Sequence, residues 1–165
     1  MDLPRILRHL STTSWQVRRA FPKATLLAIE QAIRAGESDH GGELRFVIEG
    51  ALDGAPLWRG QSARERAIDL FGSLRVWDTE HNNGVLVYVL LADRRVEIVA
   101  DRGIHACCGT HAWTAICRGM EKQFAIGEFD VGALFGVQAV ARLLASHYAE
   151  GRGGRNELPD APIVL

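Results

Sequence analysis

One uninterrupted apolar run constrains the fold of this chain more than any other feature of its sequence. Residues 85–92 read Val-Leu-Val-Tyr-Val-Leu-Leu-Ala, and the Tyr88 hydroxyl is their one polar side-chain group. A run in which apolar and polar residues do not alternate predicts a β-strand that is covered on both faces. Asp93-Arg94 and a second β-type segment, residues 95–101, follow at once. Two residues leave too little chain for a crossover, so the two strands must form an antiparallel hairpin.

The flanking segments supply helices and a further strand. Pro22 suits the first turn of one helix, and Ser62 is placed to cap another. Apolar residues recur at helical spacing after each of them, and residues 43–49 alternate as a strand does. Helical spacing returns from Ala106, and Asp130 is placed to cap a last helix. The sequence therefore predicts an α/β fold, a three-layer α/β/α sandwich around a mixed sheet containing an antiparallel hairpin.

The domain organisation follows from length and composition. With 165 residues, 47% of them hydrophobic, the chain suits one domain with a sizeable core. We predict an N-terminal helical extension over residues 1–20, a single α/β domain over 21–150 with a loop over 50–60, and a flexible tail over 151–165. The tail ends in the apolar residues 163–165, so docking onto this domain or a neighbour is the alternative.

Charge and motif content exclude several classes of protein. A net charge of −1 gives no general attraction to nucleic acid or anionic lipid. Apolar runs fall short of about 18 residues, so no transmembrane segment is predicted. Nucleotide-binding and serine-hydrolase motifs are absent from the sequence. The chain has three cysteines, and Cys107 and Cys108 are adjacent, which favours a reducing, cytoplasmic location.

Polar side chains precede the first strand of the hairpin and follow its second strand. Antiparallel pairing brings these two segments, before residue 85 and after residue 101, together at the open end of the hairpin. Asn82-Asn83-Gly84 also favours a tight turn with positive φ, so these asparagines serve either the turn or a site. As a site, this edge would bind a hard cation or an oxyanion. The candidate catalytic residues are Asp101, Arg102 and His105. The candidate ligand-binding residues are Glu80, His81, Asn82 and Asn83, and a divalent cation (Ca or Mg) would be held by Asp101, Asn82 and Glu80.

Two other groups of residues carry competing interpretations. His105, Cys107, Cys108 and His111 have helical spacing that would suit zinc, although buried cysteines beside surface histidines are commoner. Glu49 and Glu97 lie on strands that could be neighbours. One of them could have a raised pKa and act as an acid, or each could pair with Arg45 or Arg95.

The same residues carry a resemblance to a known family. Asn82-Asn83-Gly84 with the apolar strand, Asp93-Arg94, and the segment from Val96-Glu97-Ile98 to Gly103-Ile104 resemble the TPM domain over about residues 25–147. That family takes part of its name from a thylakoid-lumen photosystem II repair protein, and this chain resembles its soluble stand-alone proteobacterial branch. The resemblance implies an α/β/α sandwich, a suspected acid-phosphatase activity, and calcium binding by acidic residues at one end of the sheet in some members.

Two positions where the family usually has an acidic residue carry another residue here, and one position gains an acid. The usual Asp-Asn-Gly begins here with Asn82, and the usual Gly-Tyr-Gly-hydrophobe-Glu is replaced by residues 101–105, Asp-Arg-Gly-Ile-His. The site thus loses two carboxylates and gains one, while Arg102 and His105 add positive character. Calcium prefers several anionic oxygens, so the change disfavours it.

Two functions follow as hypotheses. The first is a non-catalytic interaction or assembly module, related to envelope or membrane-protein maintenance, that contacts an unknown protein partner through Trp58, Trp77 and the apolar tail. The alternative is a divalent-metal-assisted phosphatase acting on phosphate esters. In it Arg102 holds the phosphate, and His105 or Asp101 moves protons.

Overall fold

The computed structural model describes residues 2–147 and 156–165. In chain order the elements are α1 (Leu3–Ser11), α2 (Ser14–Ala20), α3 (Lys23–Glu37), β1 (Glu43–Glu49), α4 (Gly54–Trp58), α5 (Ala63–Ser73), β2 (Gly84–Leu90), β3 (Arg95–Ala100), α6 (Arg102–Ala125), α7 (Phe129–His147) and β4 (Ile163–Val164).

A mixed sheet with strand order β3-β2-β1-β4 lies at the centre of the molecule. β1 runs parallel to both β2 and β4, and β3 runs antiparallel to β2. The predicted hairpin is therefore confirmed. β2 ends at Leu90 rather than Ala92, because the Arg94 N–H donates to the Leu91 carbonyl and closes a turn. Arg94 takes a left-handed conformation in that turn, with φ of 52°.

Helices cover both faces of the sheet, as the apolar run predicts. On one face the core is formed with α2, α3, α6 and α7, and Phe46, Val87 and Met120 are fully buried there. On the other face α1, α4 and α5 pack over alternate side chains of the same strands, including Val47 and Leu86. Every residue of β2 is buried, which is why the strand has no polar face.

Several boundaries differ from the sequence prediction. Residues 50–60 contain the short helix α4 in place of a continuous loop. α6 begins at Arg102, four residues before Ala106, because the Asp101 side chain caps it. Asp130 lies in the first turn of α7 instead of preceding it. Ser62 does cap α5, in a capping box with Glu65.

The C-terminal segment is ordered against the domain over its described part. Ile163 and Val164 pair with Val47 and Ile48, and the Leu165 N–H donates to the Ile48 carbonyl at 2.9 Å. Over residues 156–165 the structure shows docking onto this domain, the alternative to the predicted flexible tail. The remaining tail positions lie outside the described residues.

α7 is both long and apolar. By length and composition alone it is the one described helix that could cross a membrane. Its small and branched residues pack against α3 and α6, with Gly132, Ala133, Val137, Val140 and Leu144 buried. Core helices pass the same test, so this is weak evidence for a span.

Candidate functional site

The two halves of the predicted site meet at the open end of the hairpin. The Asp101 N–H donates to the Gly84 carbonyl at 2.9 Å, directly after the Val85–Ala100 pair. Residues 79–84 and 101–105 therefore meet at Gly84 and Asp101, and we call these two segments the rim. The backbone geometry on which the site hypothesis depends is confirmed.

The asparagines of the rim shape its backbone. Asn82 has a left-handed φ of 51°, while Asn83 is buried and its N–H donates to Thr79 Oγ1 at 3.1 Å. Asn83 Nδ2 donates to the Gly41 carbonyl, and the Glu43 N–H donates to the Asn83 carbonyl. Asn83 thus ties the rim to the chain before β1. Its Oδ1 atom is buried without a hydrogen-bond partner.

Gly84 has a role other than the predicted positive φ. A Cβ atom at this position would lie 1.9 Å from the Val76 carbonyl oxygen. The sequence therefore needs glycine for close backbone approach, and Asn82 takes the left-handed conformation.

The three candidate catalytic residues follow one another around the start of α6. Asp101 Oδ1 accepts from the Arg102 N–H at 2.6 Å, so one carboxylate oxygen is used in capping. Arg102 and His105 are exposed, and His105 Nε2 lies 3.5 Å from Thr110 Oγ1. Across residues 2–147 and 156–165, Arg102 forms no ion pair with Glu80 or another acid. The guanidinium is therefore open to an oxyanion, and the catalytic roles stay predictions.

The other half of the rim supplies few ligands. Glu80, His81 and Asn82 are exposed, and the Glu80 backbone N–H donates to the Glu157 carboxylate. Among the residues that the structure describes, no three His, Cys, Asp or Glu side chains converge on a point. The orphaned Asn83 Oδ1 offers one neutral oxygen, whereas Ca²⁺ takes six to eight oxygens. The set Asp101, Asn82 and Glu80 does not fit a calcium site, and we derive no chemistry through a metal here.

The zinc hypothesis loses its geometric basis. Gly109 has φ 73° and ψ 156°, a kink that divides α6 between Cys108 and His111. The helical spacing that would place those two residues on one face is therefore interrupted. Nothing is described of the Cys107 side chain. Cys117 is a free thiol among core residues, and burial raises its pKa to about 12.

Comparison with known families now decides the classification. The TPM domain model matches residues 18–143, which is most of the chain. The chain belongs to the TPM domain family. It is similar to the BA42 protein of the psychrophilic bacterium Bizionia argentinensis, with 27% identity, a TM-score of 0.73, and coverage of 86% of this chain and 93% of that one.

A second solved structure shares the fold. The N-terminal domain of a protein from P. gingivalis is 21% identical, with a TM-score of 0.64, and the alignment covers 81% of this chain and 82% of that domain. No match was found among the curated proteins.

The C-terminal segment, outside the TPM match, contributes groups near the rim that the sequence did not indicate. Glu43 Oε2 accepts from the N–H groups of Glu157 and Leu158, at 3.2 and 3.0 Å. Asp160 is buried and accepts from Arg34 Nε at 3.0 Å and from Asn156 Nδ2 at 2.6 Å. The segment is thus held by charged side chains of α3 and β1.

Two acids near this segment, the half-buried Glu37 and the buried Glu43, have perturbed pKa values. Burial, together with the neighbouring Glu43 and Asp160 carboxylates, raises the pKa of Glu37 to about 8, although the Leu44 N–H donates to it. Burial likewise raises the pKa of Glu43, against the two N–H groups that it accepts. Glu37 is therefore mainly protonated at neutral pH and can donate to Asp160.

A partly buried ion pair lies between α5 and the sheet. Arg66 Nε and Nη2 donate to the two Glu49 oxygens at 2.9 and 2.8 Å, and the Tyr88 hydroxyl donates to Glu49 Oε2 at 2.6 Å. Burial and the adjacent Glu49 raise the pKa of Tyr88. The ion-pair interpretation of Glu49 is confirmed, with Arg66 as its partner in place of Arg45 or Arg95.

Glu97 behaves differently from Glu49. Arg64 lies 3.7 Å from its carboxylate, and burial raises its pKa. The sequence proposed both an ion pair and an elevated pKa for this residue as alternatives, and the structure combines them, with Arg64 as the partner in place of Arg95.

At the opposite end of the hairpin from the rim, Asp93 holds α1. Arg5 donates to it through two nitrogens, and Arg8 and His9 each lie 3.0 Å from its Oδ1. Burial alone would raise the pKa of Asp93, but the hydrogen bonds from Arg5, His9 and Arg8 lower it to about 2. α1, which precedes the TPM match, is therefore fixed to the turn between β2 and β3.

Proposed function

We propose that this TPM domain is a non-catalytic interaction module that binds a protein partner through α1. The observation that carries the proposal is a row of leucines on that helix. Leu3, Leu7 and Leu10 are 62%, 60% and 65% exposed, and their spacing places them along one side of α1. Contiguous exposed leucines are typical of a binding surface.

Anchoring of the helix supports this proposal. Ile6 and His9 are buried, and His9 Nδ1 accepts from the Leu52 N–H at 2.9 Å while the other ring nitrogen contacts Asp93. α1 is thus fixed to the domain, and we call its exposed leucines, Leu3, Leu7 and Leu10, the ridge. Trp58, 57% exposed on α4, which contacts α1, adds a residue type enriched at interfaces.

The charge around the ridge indicates the chemistry of the partner. Residues 2–20 contain four arginines and one acid, Asp2. Arg5 is committed to Asp93, whereas Arg18 and Arg19 are exposed. The partner that fits is a protein segment with an apolar helical face flanked by carboxylates. A reducing, cytoplasmic location stays part of the proposal, and the free Cys117 thiol supports it.

A photocrosslinking experiment tests the proposal on the full chain in its own cells. A benzophenone amino acid placed at Leu7 should yield one protein adduct, whereas the same group at Leu27, 57% exposed on α3, should not. The identified partner, once purified, should bind the Leu3→Ser/Leu10→Ser variant about tenfold or more weakly, since burial of two leucines is lost. Adducts with phospholipid, with a second copy, or equally from both positions would overturn the proposal.

Phosphate-ester hydrolysis is a second candidate, favoured by one observation. The Arg102 guanidinium is exposed beside the Asp101 cap and is open to an oxyanion. The test is hydrolysis of an aryl phosphate with and without divalent ions. We expect Arg102→Gln to abolish any activity while Arg118→Gln retains it. Activity that survives Asp101→Ala combined with Arg102→Ala would remove this assignment.

A further inference from the structure

We infer that the TPM domain has a second binding site, for an organic anion, at the end of the sheet opposite the rim. A cavity of about 630 Å³ opens there between α2, the end of β2 and the turn joining α6 to α7. We call it the arginine pocket. Its charged lining residues are Arg8, Arg19 and Arg94, and its exposed aromatic residue is Trp15.

The charge of the pocket is unbalanced. Among the described residues, its lining contains three guanidinium groups and no carboxylate. Arg8 shares Asp93 with Arg5 and His9, so the carboxylate next to Arg94 in the chain is already paired. In the described chain, neither Arg19 nor Arg94 is in an ion pair, and Arg19 lies over the Trp15 ring at 5.4 Å. A pocket lined by several guanidinium groups, two of them without an acid partner, favours an oxyanion.

The uncharged part of the lining indicates what the oxyanion is attached to. The C-terminal end of β2 together with Phe124 and Phe129 forms an apolar side, and those two rings stack at 5.4 Å. Ser11, Thr12 and Gln16 add hydrogen-bonding groups. The volume lies within the range of about 300–1,000 Å³ that is typical of small-molecule sites. The ligand class is therefore a phosphate, sulfonate or carboxylate on an aromatic or aliphatic body.

The position and origin of the pocket separate it from the rim. The carboxyl ends of the parallel strands β1 and β2 point toward it, which is where open α/β sheets usually bind ligands. Arg8, Ser11, Thr12, Trp15 and Gln16 precede residue 18, where the TPM match begins. The N-terminal helices of this chain thus contribute part of a site that the matched domain alone does not contain.

Phenyl phosphate is a suitable probe, with inorganic phosphate and phenol as its two halves. In titrations of the full chain followed by amide chemical shifts, we expect phenyl phosphate to bind about tenfold more tightly than either half. The shifts should fall on residues 89–92 and 124–129. Arg19→Gln and Arg94→Gln should each weaken binding about tenfold, since each removes a charge-assisted contact. Trp15→Ala should weaken it as well.

Two controls make the result specific. Arg18→Gln removes the same charge from an exposed neighbour that does not line the pocket, and should leave the affinity unchanged. Arg102→Gln tests binding at the rim. Equal loss in Arg18→Gln, shifts centred on residues 101–105, or the absence of binding at millimolar concentration would overturn the inference. The leucines of α1 are not part of this test, so it stands or fails independently of the proposed protein partner.

Discussion

Tyr88 and Glu49 are joined by a hydrogen bond of 2.6 Å between neighbouring parallel strands, in a region where both residues are buried. Two Arg66 nitrogens complete the coordination of the same carboxylate. The negative charge of Glu49 thus lies between α5 and the sheet, where it accepts hydrogen bonds from β2 and from α5. Breaking part of such a group leaves a buried charge with fewer partners.

Tyr88→Phe should therefore destabilise the protein by about 1.5–3 kcal/mol, the usual value for a hydrogen bond to a charged group. Urea unfolding at neutral pH measures the change. Glu49→Gln and the double variant complete a cycle, in which we expect clear non-additivity. Additive losses would show that the hydroxyl and the carboxylate act independently.

The stability of the docked C-terminal segment should depend on pH through Glu37. Its pKa is about 8 in the folded protein, above the 4.5 of an unperturbed glutamate. The folded state thus holds a proton that the unfolded state loses, so this contribution is complete below about pH 4.5 and disappears as pH rises through about 8. The slope from one group is at most about 1.4 kcal/mol per pH unit.

Urea unfolding at several pH values from 5 to 9 checks this, together with amide exchange at residues 163–165. Wild type should lose stability and protection as pH rises, and Glu37→Gln should remove most of that loss. The exposed Glu65→Gln, which affects only the α5 capping box, is the control. A slope that is unchanged in Glu37→Gln would contradict the assignment.

Much of the backbone could be predicted because the determining signals are local. A fully apolar run followed by two turn residues leaves the hairpin as the one solution, and the hairpin alone brings Gly84 next to Asp101. Ser62 was recognisable as a cap because serine is a preferred N-cap residue before apolar residues at helical spacing, and Glu65 completes a capping box with it in the structure. The meeting of the two rim segments is a consequence of such signals.

The contacts that the sequence did not predict join distant parts of the chain. β4 forms because Glu43 and Arg45 bind the backbone of residues 157–161, more than a hundred positions away. Local composition there indicates only a tail. Arg66 is the partner of Glu49 because α5 packs across the sheet at that point. The spacing of residues in the sequence does not predict how a helix packs on a sheet. The arginine pocket was missed for the same reason, since its cations come from α1, α2 and the hairpin turn.

The anchoring of α1 should depend mainly on Asp93. Asp93→Ala leaves Arg5 and the fully buried His9 without their shared acceptor, and should destabilise the protein by about 3–5 kcal/mol, as for a broken buried pair. Limited proteolysis should then cut within residues 1–20. The exposed Asp53, whose side chain makes no capping bond, is the matched control as Asp53→Ala.

The Asp93 carboxylate should also make the stability of the protein depend on pH in the acid range. The Asp93 pKa of about 2 is below its ordinary 3.8, so its stabilising contribution is present above about pH 3.8 and disappears as pH falls toward 2. Unfolding followed across pH 2–5 should show less acid sensitivity in Asp93→Asn than in wild type. If Asp93→Asn lost as much stability between pH 5 and pH 2 as wild type does, that loss would belong to other carboxylates.

Gly84 offers the sharpest test of how the rim is built. Gly84→Ala would place a Cβ 1.9 Å from the Val76 carbonyl oxygen, which side-chain rotation cannot relieve because the obstacle is backbone. We expect the turn before β2 to move and stability to fall by more than about 3 kcal/mol, beyond the range of ordinary substitutions. Gly72→Ala is the matched control, because Gly72 lies in α5 with open space around its Cβ position and should be neutral or gain up to about 1 kcal/mol. Thermal unfolding of both variants measures the contrast. Similar stability in the two would mean that the contact between Gly84 and Val76 does not hold the rim in place.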